Sequence, residues 1–190
     1  MARLSRTVIV TEKIDGTNAQ IFIGEDGSIR AGSRTRWITP SDDNFGFAAW
    51  VEEHRDELLT LGLGRHFGEW WGRGINRGYG IDDRRLSLFN TQRWCLHGTE
   101  PRTIPTLDPR VTRTQEALPP CVGLVPVLME GPFDTAEIEW HLNALRESGS
   151  AAAPGFKNPE GVVVFHTAGN VGFKKTLDRD GFPKSLKGAA

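Results

Sequence analysis

The sequence predicts an α+β fold, with antiparallel sheets and a few flanking helices. Short runs of β-branched and aromatic residues recur along the chain, as in Thr7-Val8-Ile9-Val10-Thr11 and Gly161-Val162-Val163-Val164-Phe165. Turn signals such as Asp15-Gly16 and Glu25-Asp26-Gly27 punctuate them. Only two stretches change to helical period, so strands outnumber helices and do not alternate with them.

Taken in order, Thr7–Thr11 reads as a strand, and Asp15-Gly16 reads as the turn of a hairpin whose second strand is Ala19–Ile23. A third strand returns through Ser28–Arg34. From Asp43 onward Phe47, Trp50, Val51, His54 and Leu58 follow the i, i+3, i+4 spacing of one amphipathic helix, ended by Gly62 and Gly64. Phe67–Gly72 is a strand in which Trp70 and Trp71 point to opposite sides, so one of them is expected to be buried. A Gly- and Arg-rich loop runs on to Gly80, and Leu86–Asn90 is a further strand. The proline-bearing stretch from Glu100 to Pro120 reads as a long loop or insertion. Thr135–Ser148 is a second helix, with Ile138, Leu142 and Leu145 on one face. Gly161–Phe165 is a buried strand by its continuous apolar run, and Val171–Leu177 is the last.

A chain of 190 residues accommodates one domain with a substantial core. The hydrophobic share of 38% beside 25% charged residues is that of an ordinary globular protein. A net charge of −1 neither demands nor excludes nucleic acid, because binding depends on where Lys and Arg sit, and arginines do cluster over 30–36 and 73–85. The two cysteines, Cys95 and Cys121, form neither metal-ligand spacing nor a disulfide framework. No apolar run approaches the roughly 18 residues of a membrane span, and the N-terminus lacks a signal-peptide core. These features are expected of a cytoplasmic protein with no membrane partner.

The densest chemistry lies in Glu12-Lys13-Ile14-Asp15-Gly16-Thr17-Asn18, where a potential nucleophile stands between two carboxylates at a strand end. Five other segments put charges within or beside strands: Ser33-Arg34-Thr35-Arg36, Glu69 among Phe67, Trp70 and Trp71, Arg84-Arg85 ahead of Phe89, Glu160 before the valine run, and Lys174-Lys175 after Phe173. A buried charge needs a partner. Internal salt bridges would satisfy any one of these; acids and bases gathered around a turn lysine also describe a phosphate-and-metal pocket. The glycines of 72–80 fit no dinucleotide fingerprint, and no Walker-type loop is present. The histidines show no ligand spacing, and none of the tryptophans is assigned to RNA.

In their order along the chain these segments resemble the motifs of the covalent nucleotidyltransferases, the polynucleotide ligases and mRNA-capping enzymes. Glu12-Lys13-Ile14-Asp15-Gly16-Thr17-Asn18 is similar to motif I, Ser33–Arg36 to motif Ia, Phe67–Gly72 to motif III and Ser87-Leu88-Phe89-Asn90 to motif IIIa. Pro159–Val164 is similar to motif IV and Phe173-Lys174-Lys175 to motif V. Asn18, in place of the usual Arg, makes the chain most similar to the ATP-dependent RNA ligases. The resemblance implies the nucleotidyltransferase domain of ATP-dependent ligases, an ATP-grasp-like fold, with residues 1–190 as one adenylyltransferase domain and no C-terminal OB or other accessory domain.

The resemblance also implies the chemistry. Lys13 attacks the α-phosphate of ATP to give a lysyl-adenylate, and AMP then passes to a polynucleotide 5′-phosphate before a 3′-hydroxyl seals the strand, as in RNA repair. Lys174 and Lys175 contact the α-phosphate; because adjacent strand residues point to opposite faces, Lys174 is favoured and Lys175, Lys184 or Lys187 supplies any second contact. Phe89 stacks on adenine, Arg34 and Glu69 hold the ribose, and Glu12 and Asn18 join the ATP-binding set. Glu160 organises Mg²⁺ or Mn²⁺. The expected partners are RNA ends, nicked duplex included, and a protein supplying further grip on nucleic acid. Two alternatives stay open: another acceptor (a DNA nick, an RNA cap or a protein), or an inactive module that binds nucleotides or nucleic-acid ends.

Overall fold

The computed structural model describes residues 6–95, 102–105 and 112–178. In chain order these form β1 (Thr7–Lys13), β2 (Thr17–Ile23), β3 (Ile29–Gly32), β4 (Trp37–Ile38), α1 (Phe47–Glu53), α2 (Arg55–Leu59), β5 (Gly64–Gly72), β6 (Arg84–Leu88), β7 (Trp94–Cys95), β8 (Arg102–Pro105), β9 (Thr112–Ala117), β10 (Val122–Leu124), β11 (Val127–Pro132), α3 (Thr135–Ser148), β12 (Gly161–His166) and β13 (Val171–Thr176). They fall into two compact units. One comprises the described residues of Met1–Ile14 and Pro126–Ala190, the other Asp15–Val125.

In the first unit a four-stranded antiparallel sheet runs in the order β11-β1-β12-β13. The valine runs that predict β1 and β12 also set its faces. Val8 and Val10 lie opposite His166 and Val164, and this face, with Val162, packs on Ile138, Leu142 and Leu145 of α3. Each fully buried aliphatic side chain contributes roughly 1.5–3 kcal/mol. The Asp134 carboxylate caps α3 by accepting from the Ala136 N–H at 2.8 Å, and the helix ends at Gly149.

The second unit carries a six-stranded sheet, β10-β6-β5-β2-β3-β4, antiparallel except where β10 joins β6 in parallel. One face is apolar: Ala19, Ile21, Ile23, Trp70, Leu86 and Leu88 pack on Phe47, Val51, Leu58 and Leu61. The other face carries Asn18, Gln20, Phe22, Phe67, Glu69 and Ser87 by the same alternation. A smaller sheet has the order β7-β9-β8.

Four expectations are corrected. β1 and β2 are not a hairpin: β1 pairs with β11 and β12, while β2 pairs with β3 and β5. The long helix is two short ones, broken at His54 with φ −101° and ψ 20°. The stretch read as a loop holds β8 and β9, whose polar Thr112–Ala117 lacks the apolar alternation that announces a strand. Trp70 and Trp71 are both buried: the first lies in the core, and the second is covered by Tyr79 (ring centroids 5.1 Å apart) and donates from Nε1 to Ser87 Oγ at 2.9 Å.

Candidate active site

β1 delivers Lys13 at its last position, directly opposite Gly161, the first residue of β12. The Lys13 Nζ donates to Oε2 of Glu160, the residue just before that strand. The two side chains are 16% and 4% exposed, so the pair is largely out of water. Glu160 is held by its backbone, its carbonyl accepting from the Leu177 N–H at 2.9 Å. Gly161 has φ +150°, and a Cβ there would run into the backbone carbonyl of Lys175. Glycine is therefore what lets β13 close beside the pair.

The register decides the two lysines of β13. Lys174 lies opposite Val163, itself opposite Thr11, and so shares the sheet face of Lys13. Lys175 lies opposite Val162 on the helix-covered face, where its Nζ donates to Glu139 of α3. As strand alternation predicts, the two do not share a face, and Lys175, expected as a possible second contact, points away from Lys13. Lys184 and Lys187 lie outside the described residues.

Glu12 projects to that same helix-covered face and is 1% exposed. Its carboxylate accepts from Ser150 Oγ (2.6 Å), Ala151 N (2.7 Å) and Ala152 N (2.8 Å), clamping the loop after α3. Burial raises its carboxyl above the ordinary value of 4.5, against these three hydrogen bonds. Glu12, expected in the ATP-binding set, thus has both carboxylate oxygens engaged with this loop.

In the second unit, the Asp15-Gly16 stretch is pinned by hydrogen bonds to Glu69, Asn76, Arg77 and Tyr79. The Asp15 N–H donates to Tyr79 Oη (2.8 Å), and its carboxylate accepts from Asn76 Nδ2 (3.1 Å) and Arg77 Nε (3.0 Å). The Gly16 N–H donates to Glu69 Oε1 at 3.1 Å, and its carbonyl accepts from Asn76 Nδ2 at 2.5 Å. A Cβ on Gly16 would fall 2.8 Å from Trp71 Cβ and 2.9 Å from Glu69 Cγ. Asn18 lies directly opposite Glu69 on the face away from the core. Phe89 follows β6, 41% exposed, its N–H donating to the Phe67 carbonyl at 3.0 Å. Arg34 is exposed in the connection from β3 to β4.

A family model described as RNA ligase matches residues 6–177. The chain belongs to the RNA ligase family. No curated protein matches it in sequence. Among solved structures it is similar to a mutant Naegleria gruberi RNA ligase without ligand, at 20% identity and a TM-score of 0.57, covering 92% of this chain and 50% of that one. A mutant of that ligase with ATP and Mn matches at 18% identity and a TM-score of 0.60, covering 93% and 51%. Another, with AMP and Mn, matches at 20% and 0.57, covering 92% and 51%. The nucleotidyltransferase fold expected of the chain is therefore present, and the chain spans about half the length of these RNA ligases.

Within the first unit the fold brings together Lys13, Glu160 and the sheet face of Lys174; within the second it puts Asn18 and Glu69 side by side. Three residues of this RNA ligase family member escape sequence reasoning: Asn76, Arg77 and Tyr79, which fix Asp15-Gly16. Their one trace is the glycine density of 72–80, since Asn76 and Tyr79 adopt φ of +45° and +54° in the same turn-rich segment. The cysteines are free thiols, and burial pushes that of Cys121 up to about 12, which removes it as a nucleophile near neutral pH. No helix among the described residues is long and apolar enough to cross a membrane.

Proposed function

We propose that this chain is an ATP-dependent RNA ligase that acts through an adenylate on Lys13. The observation that carries the reading is Lys13 held by Glu160 at the end of a rigid strand, with Lys174 on the same sheet face. Lys13 Nζ attacks the α-phosphorus of ATP, an N–P bond forms, and the bond to the β-phosphate oxygen breaks to release pyrophosphate. Attack needs the free amine, and the proton that Nζ must lose already points at Glu160 Oε2. Lys174 places positive charge where the transferred phosphate gains negative charge. Asn18, Arg34, Glu69 and Phe89 bind the nucleotide, with Phe89 on the adenine and Arg34 and Glu69 on the ribose. The AMP then passes to an RNA 5′-phosphate, and a 3′-hydroxyl displaces it.

The residues present fit a divalent cation of the hard, oxygen-seeking kind. Among the described residues no group of three or more His, Cys, Asp or Glu could hold an ion alone, so Glu160 would serve as its protein ligand beside phosphates and water, as suits Mg²⁺. When bound, such an ion neutralises phosphate charge. The Naegleria ligase solved with ATP and Mn, and with AMP and Mn, supports both choices. Incubation with Mg²⁺ and ATP labelled in the α-phosphate is expected to leave on the wild type a covalent label that survives denaturation and alkali but is released by acid, as a lysine phosphoramidate is, and none on Lys13→Ala. An unlabelled wild type, or a labelled Lys13→Ala, contradicts the reading.

A further inference from the structure

The face of the six-stranded sheet turned away from its core holds a second feature that the adenylate chemistry does not use. One row of directly opposite residues crosses four strands: Trp37 on β4, Gly32 on β3, Gln20 on β2 and Phe67 on β5. The outer two are exposed aromatics, 39% for Trp37 and 48% for Phe67. Three strand spacings put them about 14 Å apart. Between them the floor is low. Gly32 has no side chain, and Gln20, 8% exposed, lies along the sheet with Nε2 donating to the Ser33 carbonyl at 2.9 Å. A Cβ at Gly32 would meet Gln20 Cγ at 2.7 Å, so the floor is closed-packed as well as flat.

The neighbouring row is Arg30, Phe22 and Arg65. The Arg65 guanidinium sits 5.2 Å from the Trp37 ring centroid, and the Phe22 ring lies 6.1 Å from it. Arg30 and Arg65 are exposed around the trough, and Arg65 also donates from Nη1 to Oε1 of Gln20 on its floor at 3.4 Å. Arg36 is already paired with Asp42, Glu25 and Asp26 lie in the β2–β3 turn, and Glu69, two residues beyond Phe67 on the same face, accepts from the Gly16 N–H. Flat aromatic faces ringed by guanidinium groups suit stacked bases and their phosphates. An apolar partner protein would leave these charges unmatched.

We propose that this trough holds the bases of a single-stranded RNA, stacked on Trp37 and Phe67, with Arg30 and Arg65 on its phosphates. The proposal deepens the ligase reading and rests on it for the choice of RNA. The probe is a short 5′-phosphorylated single-stranded RNA, with a fully paired RNA duplex beside it, titrated against wild type, Trp37→Ala, Trp37→Phe, Phe67→Ala and Arg30→Ala. Trp37→Ala and Phe67→Ala are expected to weaken single-strand binding about 5- to 100-fold, and Trp37→Phe to retain most of it. Arg30→Ala is expected to lower the slope of log affinity against log salt by about 0.7. Duplex binding is expected to be unaffected by Trp37→Ala, because its bases are already stacked. Adenylation of Lys13, assayed in parallel, is expected to persist in Trp37→Ala and so shows that the variant folds. Wild-type affinity in both aromatic variants, an equal loss for duplex, or no binding by the wild type overturns the trough. Loss of binding in these variants by a protein that never adenylates Lys13 overturns the ligase reading and leaves the trough standing.

Discussion

Lys174 and Lys175 are neighbours in sequence with opposite surroundings, and the difference is measurable. Lys174 shares the face of Lys13, whereas Lys175 is paired with Glu139 beneath α3. Lys174→Ala is expected to slow adenylate formation by about 10²–10³-fold, the cost of removing one charge-stabilising donor. Lys175→Ala removes a half-exposed ion pair of at most about 1 kcal/mol and is expected to leave the rate within about fivefold. Single-turnover labelling of both variants tests this; equal losses would contradict the register argument. Glu12 supplies a second residue-scale prediction. Its folded carboxyl titrates above 4.5, so the folded state holds a proton that the unfolded chain has released. The stability it contributes is greatest below that value and falls as pH rises through the raised one. Urea unfolding across this range is expected to show the wild type losing stability relative to Glu12→Gln as pH rises, and a constant difference would contradict it.

At the scale of elements, the turn at Asp15-Gly16 is the instructive case. Its composition is that of a hairpin, but its N–H groups go to Tyr79 and Glu69 rather than to a facing strand. Gly16→Ala drives a Cβ against Trp71 and Glu69 and is expected to destabilise the chain by about 1–3 kcal/mol, read from urea unfolding. An unchanged midpoint would show that the stretch yields more easily than the packing implies. The same case shows what a sequence carries and what it leaves out. The β-branched run of Thr7–Thr11 and the apolar content of Ala19–Ile23 identify each as a strand, yet say nothing about partners, which come from packing far along the chain. α3 is legible to the residue because Ile138, Leu142 and Leu145 repeat on one face, and the structure adds the Asp134 cap. β9 is hidden because Thr112–Ala117 carries polar residues at most positions. Lys13 and Glu160 are legible as types at motif positions, whereas their ion pair is made by a strand register across nearly the whole chain.

For the molecule as a whole, family membership rests on a match over residues 6–177, and the chain spans about half the length of the solved ligases it resembles. Its formal charge of −1 means that any grip on RNA is local, carried by clusters such as the arginines of 30–36. Offered matched nicks, the protein is expected to seal RNA strands in preference to DNA; sealing confined to DNA ends would take RNA out of the account. The central claim is narrower and open to one direct measurement. After incubation with ATP and Mg²⁺, peptide mapping by mass spectrometry is expected to find AMP on the peptide bearing Lys13 and on that lysine alone. An adduct on Lys174 or Lys175, or no adduct at all, would contradict it.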